Sequence, residues 1–211
     1  SDDWISTWNK VSERTKKLVV SLDGWNEAVI ARTIAAAIPN ETALFVSSSR
    51  PIRDLEGFAL PRAGVDTYAN RGLAGIDGNI STALGIAYAH KATIAILGDL
   101  SFLYDMTGLI NKEAINCRFI VINNDGGGIF STLPQRGSHG FETVFGTPHG
   151  LNPAEIAKAM GVSAQQISSL KELEAAVKAP VTGISVVVCD VPDRESNADN
   201  LKAIYDSLNS M

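Results

Sequence analysis

The chain is short of cysteine, of excess positive charge and of long apolar runs, and each shortage removes a class of protein. Cys117 and Cys189 are its only thiols in 211 residues. Two isolated cysteines make neither a disulfide scaffold nor a four-ligand zinc site. Each lies in an apolar run, which reads as a buried neutral thiol. Lys and Arg number 18 against 23 Asp and Glu, a net charge of −5 with His neutral. No nucleic-acid or anionic-membrane partner is expected, because such surfaces need a basic excess. The longest apolar stretches are strand-sized, short of the ~20 residues of a membrane span, and the start shows no signal-peptide pattern. Nucleotide fingerprints are missing too. There is no Gly-x-x-x-x-Gly-Lys-[Ser/Thr] and no Gly-x-Gly-x-x-Gly after the first strand, and Gly72, Gly75 and Gly78 are spaced differently.

What is present is a repeating alternation. Short β-branched runs at 43–47, 65–68, 93–97, 119–122, 162–167 and 184–189 predict strands. Helical patterns occupy 4–17, 26–38, 76–90, 102–114, 153–160, 169–178 and 195–209. Trp4, Ile5, Trp8 and Val11 fall at helical spacing in the first of these. Strands that are near-continuously apolar and alternate with helices imply a mostly parallel sheet covered on both faces, an α/β, doubly wound single domain over residues 1–211. That length can bury roughly 70% of the unfolded surface and needs no staple. The irregular stretch from about 124 to 152, rich in Gly, Ser, Thr and Pro, is long for such a domain. Partial disorder is expected there in the absence of ligand and neighbouring domains.

Ligands of open α/β sheets bind beyond the carboxyl ends of the strands. Four successive strand ends carry small, polar or cationic residues: Ser47–Arg53, Ala69–Gly72, Gly98–Ser101 and Asn123–Gly128. The third and fourth belong to one βαβ unit, whose crossover would set Asp99 and Asn124 side by side on strands about 5 Å apart. A carboxylate and an amide oxygen are hard ligands suited to Mg²⁺ or Ca²⁺, and a carbonyl of the Gly126–Gly128 turn could add a third. A helix starting near Ser101 would offer N–H groups to an anion. Metal and anion site together suit a diphosphate. Alone, Asp99 also reads as a helix N-cap and Asn123-Asn124-Asp125-Gly126 as a turn.

Gly98-Asp99 followed after one helix by Asn123-Asn124 resembles the motif of the thiamine-diphosphate enzymes. The resemblance implies thiamine diphosphate and Mg²⁺ (or Mn²⁺) as cofactors, with Asp99, Asn124 and the carbonyl of Gly126 as metal ligands. Leu100 stands where that motif usually has a third Gly, and the span is slightly short. The stretches Asn70–Gly78, Gly98–Asp105, Asn123–Phe130 and Phe145–His149 narrow the resemblance. They are similar to the C-terminal domain of the 2-succinyl-5-enolpyruvyl-6-hydroxy-3-cyclohexene-1-carboxylate synthases of menaquinone biosynthesis. This implies a bacterial cytoplasmic transferase that decarboxylates 2-oxoglutarate and adds the succinyl carbanion equivalent to isochorismate. Gly98, Leu100, Ser101, Ile76 and Ile129 would then face the cofactor, Ile76 as the apolar support under its bent form. Ser49, Arg53, Arg71, Ile129 and Phe130 would face substrate. Arg53 and Arg71 lie past two strand ends, where they could clamp carboxylates; Arg50 and Arg136 are weaker candidates. His139 and His149 receive no role, and His90 is expected to cap a helix C-terminus.

No catalytic residue is assigned within the chain. The activating Glu of the family comes from a pyrimidine-binding domain, usually of a partner subunit in a homodimer or homotetramer, and Glu27, Glu56 and Glu113 match no such motif. The chain opens Ser1-Asp2-Asp3-Trp4 without Met, and is expected to be a C-terminal diphosphate-binding piece, inactive alone, whose pyrimidine-binding and central domains lie elsewhere. Two other readings stand beside this one. One is a domain of another thiamine-dependent decarboxylase or carboligase; the other is a non-catalytic α/β interaction module.

Overall fold

Alternating apolar strands and helical stretches require a sheet shielded on both faces. The computed structural model, which describes residues 2–111 and 113–209, has that form. Its strands are β1 (Ala43–Val46), β2 (Thr67–Tyr68), β3 (Thr93–Gly98), β4 (Cys117–Asn123), β5 (Ser163–Ile167) and β6 (Ile184–Asp190). All pair in parallel, in the order β2-β1-β3-β4-β6-β5. Each coincides with an expected β-branched run. The helices are α1 (Asp2–Ser21), α2 (Glu27–Ala37), α3 (Arg50–Phe58), α4 (Asn79–Ala87), α5 (Asp99–Tyr104), α6 (Pro153–Ala159), α7 (Leu170–Lys178) and α8 (Arg194–Asn209).

The core divides by strand alternation, because neighbouring side chains point to opposite faces. Phe119 and Val121 of β4 pack with Phe45, Leu97, Val186 and Val188 beneath α4, α5 and α6. Ile120 and Ile122 pack with Leu44, Val46, Ile96 and Val187 beneath α2 and α7. Cys117 and Cys189 are buried in these layers, and burial pushes both thiols up, so they are neutral and inert as expected.

Two expectations need correction. No helix was expected between β1 and β2, yet α3 forms there: Pro51 at its first turn has a pre-set helical φ and lacks the N–H that would go unpaired. The crossover helix expected over 102–114 is α5, only six residues long and beginning at Asp99, followed by one 3₁₀ turn at Met106–Leu109. It is too short to be an anion-binding helix starting near Ser101. Helix α1 forms where the helical spacing placed it, but its apolar stripe of Trp4, Ile5, Trp8 and Val11 is exposed, and the helix packs through Val19 and half-buried Leu18 against Ala28, Phe58, Leu201 and Ile204.

The sheet reverses its winding between β1 and β3, since β2 lies to one side of β1 and β3 and β4 to the other. Such a switch point opens a crevice at the carboxyl ends of the strands.

Candidate functional site at the carboxyl ends of β1, β3 and β4

Gly98 at the end of β3 pairs in register with Ile122 of β4. The next residues of the two strands therefore meet above the sheet. Asp99 is 2% exposed. Its Oδ1 accepts the Leu100 N–H at 2.7 Å and its Oδ2 accepts the Gly126 N–H at 2.9 Å. These bonds tie the end of β3 to the loop after β4. His149 Nε2 lies 3.2 Å from the same Oδ2. A carboxylate has about four acceptor positions, so Asp99 keeps one for a ligand.

Asn124 is 8% exposed, and its Nδ2 donates to Glu27 Oε1 at 2.6 Å. Its Oδ1 is buried with no hydrogen-bond partner. Orphaned buried acceptors are costly and call for an explanation. A cation beside Asp99 supplies one. The Gly126 carbonyl accepts the Gly128 N–H at 2.9 Å, which leaves its second lone pair to spare. Carboxylate, amide and carbonyl oxygens form a hard donor set that fits Mg²⁺ or Mn²⁺ and is too sparse to cage it, so ligand phosphate oxygens and water would complete the shell. No group of three or more His, Cys, Asp or Glu converges among the described residues, which leaves no rival metal site of that kind there.

The glycines after Asn124 are set by close approach. Gly126 has φ 131°, and a Cβ on Gly127 would run into the Phe145 carbonyl. Gly127 N–H donates to the Gly146 carbonyl at 2.7 Å, zipping 126–128 against 145–147. The long loop expected to be partly disordered is thus folded back on itself. It carries a 3₁₀ segment at Gly128–Thr132 and a π-turn at Glu142–Gly146. Phe130, Phe141 and Phe145 pack their rings together. Two arginines pin the loop to α8: Arg136 pairs with Glu195 and Asp199, and Arg194 with Glu142 and the Asp125 carbonyl.

A cavity of about 140 Å³ opens here, lined by Ser48, Ser49, Arg50, Pro51, Ile76, Gly98, Asp99, Leu100, Ser101, Asn124, Gly126–Gly128, Ile129 and Phe130. It brings together every residue expected to face the cofactor or metal, and Ser49, Ile129 and Phe130 from the substrate set. Arg53 and Arg71 do not line it. Both are exposed, and Arg53 Nη1 is spent on the Ser49 carbonyl at 2.8 Å. Ser49 itself sits at φ 74°, ψ −131°, a conformation that favours glycine. Backbone strain of this kind, about 1–3 kcal/mol, concentrates at functional sites. Arg50 and Arg136 are committed to carboxylates, and His90 bonds the Tyr68 hydroxyl at 3.0 Å rather than a helix end.

Two groups escaped the sequence. Glu27 is separated from Asn124 by 97 positions and is signalled by no motif. His149 lies in the Phe145–His149 stretch, but its contact with Asp99 depends on the loop's fold. The hydrogen bond to Asp99 holds its imidazole above the usual range. Behind Asn124, Arg50 lies between Glu27 and Asp54. Burial pushes Asp54 up to about 7 against the pull of Arg50. A carboxyl raised on folding stabilises most below its unfolded pKa of about 3.9, and that contribution fades as pH rises through its folded value. The Asp54→Asn variant should therefore lose less stability than the parent between pH 5 and 8 in urea unfolding.

The profile of the thiamine pyrophosphate enzymes' C-terminal TPP binding domain matches residues 58–191. A 2-succinyl-5-enolpyruvyl-6-hydroxy-3-cyclohexene-1-carboxylate synthase of Thermobifida fusca is 41% identical over 76% of this chain and 31% of its own length. The Staphylococcus aureus enzyme of that name is 36% identical over 99% of this chain and 38% of its own. The chain thus spans about a third of the curated relatives it matches. Among solved structures, benzoylformate decarboxylase of Polynucleobacter necessarius superposes with a TM-score of 0.65 at 18% identity, covering 78% of this chain and 33% of that one. The 4-hydroxybenzoylformate decarboxylase of Rhodococcus jostii gives 0.63 at 18%, over 82% and 34%. These two establish the shared fold.

Proposed function

The chain belongs to the thiamine pyrophosphate enzymes, as their C-terminal TPP binding domain, and on that premise we propose that it is the diphosphate-binding part of a 2-succinyl-5-enolpyruvyl-6-hydroxy-3-cyclohexene-1-carboxylate synthase. The observation that carries the site assignment is the unpartnered Asn124 Oδ1, buried beside Asp99 in the cavity over β3 and β4. Asp99, Asn124 Oδ1 and the Gly126 carbonyl hold Mg²⁺ against the diphosphate. Gly98, Leu100 and Ser101 border it, and Ile76 and Ile129 supply apolar wall. When bound, thiamine diphosphate supplies the carbon nucleophile and electron sink for decarboxylating a 2-oxo acid and transferring what remains.

The chain's own residues bind and orient. Ser49, Ile129 and Phe130 border the place where the substrate reacts. Arg53 and Arg71, exposed past the carboxyl ends of β1 and β2, meet the carboxylates of 2-oxoglutarate and isochorismate once the remaining domains close over them. The activating Glu comes from a pyrimidine-binding domain, in a dimer or tetramer, and the reaction takes place in the cytoplasm. No helix among the described residues is long and apolar enough to cross a membrane. The relatives' shared name at 36–41% identity favours this synthase over other members of the family.

The test supplies 2-oxoglutarate, isochorismate, thiamine diphosphate and Mg²⁺ to the protein expressed from its native reading frame, and separately to the 211-residue chain. Release of CO₂ coupled to isochorismate consumption is expected from the first and none from the second. Turnover indifferent to isochorismate would reassign the enzyme to another branch, and turnover by the 211-residue chain would refute the need for a second domain.

A further inference from the structure

We propose that Glu27 is a positioning residue for the cation, setting which end of the Asn124 amide faces the cavity. The inference rests on the reading of Asp99, Asn124 and Gly126 as cation donors. The two ends of an Asn amide are alike in shape and opposite in chemistry: one accepts, the other donates. Turned one way, Asn124 presents an oxygen to a dication. Turned the other way, it presents an NH₂ that repels it. The backbone of β4 does not choose between them.

Glu27 makes the choice. A carboxylate only accepts, and Glu27 Oε1 takes the Asn124 Nδ2 at 2.6 Å with both residues 8% exposed. Oδ1 is left to the cavity without a partner. The carboxylate is held in place from behind. It sits in the first turn of α2, which Asn26 caps by accepting the Val29 N–H at 3.1 Å. Its Oε2 lies 3.5 Å from Arg50 Nε, and Arg50 in turn pairs with Asp54 one turn along α3. Arg50 thus supplies a countercharge to a carboxylate that would otherwise be buried with none. On the other side, a Cβ on Gly128 would strike the Asn124 amide, so that approach is open only to glycine. The device joins α2, α3 and β4 behind a single ligand, and second-layer partners of this kind orient metal ligands generally.

A glutamine at position 27 offers a single acceptor, and the charged Arg50 claims it. The NH₂ that remains faces Asn124, which must turn its oxygen inward and its own NH₂ toward the cation. A carboxylate at position 124 has acceptors on both sides and needs no such orientation. Beside Glu27 it meets another carboxylate; beside glutamine it meets a donor.

The experiment measures Mn²⁺ affinity by electron paramagnetic resonance of the free ion, with thiamine diphosphate saturating, on the protein of the native reading frame. Glu27→Gln should weaken Mn²⁺ binding by about 10–100-fold. Glu27→Gln combined with Asn124→Asp should return affinity to within about threefold of the parent, as coupled residues do when their mismatch is repaired. It should also bind more tightly than Asn124→Asp alone. That last comparison stands even if Glu27→Gln by itself folds poorly, since a merely structural role could not make a change at position 27 improve binding. Affinity of Glu27→Gln within twofold of the parent, or no gain from the second substitution, overturns the positioning role. A parent protein without thiamine-diphosphate-dependent Mn²⁺ binding overturns the cation reading on which it rests, as would Asp99→Ala binding Mn²⁺ normally.

Discussion

Asp99→Ala should abolish any cofactor-dependent turnover of the protein of the native reading frame, a loss of about 10³-fold or more, as expected if it sets free a metal that neutralises and anchors a diphosphate. The size of the effect follows from how few donors there are. With one carboxylate, one amide oxygen and one carbonyl, Asp99 is the only anion in the set, and it also positions the loop of the third donor. Its Oδ2 holds the Gly126 N–H at 2.9 Å, so its removal frees the loop that carries the third donor. His149 Nε2, 3.2 Å away, cannot substitute, because it carries its proton toward Asp99: its Nδ1 accepts the Leu151 N–H at 3.0 Å. Steady-state rates across a Mg²⁺ titration check this, alongside the thermal midpoint. Activity regained at high Mg²⁺ would show that Asn124 and Gly126 suffice. Normal activity without added metal would remove Asp99 from the site.

Phe102→Ala is the largest expected loss of stability, about 3–5 kcal/mol, the range for truncating a buried aromatic to a methyl. Phe102 is fully buried in α5, three residues beyond Asp99, packed in the layer that contains Ile80, Leu97, Leu109 and Phe119. A helix of six residues has almost no stability of its own, so this ring anchors α5 to the sheet and thereby the carboxylate at its start. Urea unfolding measures the loss. The same variant should bind cofactor less well even when folded, which separates the anchor from an ordinary core position such as Phe45. A loss below about 1 kcal/mol would mean that the neighbouring side chains collapse into the space, which small measured costs at core sites reflect.

What was legible in the sequence was whatever depends on neighbours along the chain. The β-branched runs marked all six strands, most plainly the central β1, β3, β4 and β6, because a buried parallel strand needs apolar residues on both faces. The one-helix spacing between Gly98-Asp99 and Asn123-Asn124 placed two strand ends side by side, and β3 and β4 are indeed adjacent. Local signals that point two ways misled. Ser47–Arg53 is polar enough for a loop, yet Pro51 starts a helix within it. The stripe of Trp4, Ile5, Trp8 and Val11 has core-like periodicity, and periodicity reports a helix without saying what covers its apolar face. Contacts between distant positions were invisible. Glu27 meets Asn124 across 97 residues, and Arg136 and Arg194 fasten a glycine-rich loop that composition alone describes as mobile. Arg53 and Arg71 show the reverse limit: their strand-end positions were readable, whereas nothing along the chain says which ligand groups they would meet.

The central claim is that three oxygens, from Asp99, Asn124 and Gly126, hold a divalent cation. Anomalous scattering from crystals of the native-frame protein grown with Mn²⁺ and thiamine diphosphate tests it most directly. The expected result is one Mn²⁺ peak about 2.0–2.3 Å from an Asp99 carboxylate oxygen, Asn124 Oδ1 and the Gly126 carbonyl, near the hard-cation range. Thiamine diphosphate bound with its Mn²⁺ elsewhere, or with the Asn124 NH₂ turned toward the metal, would contradict it.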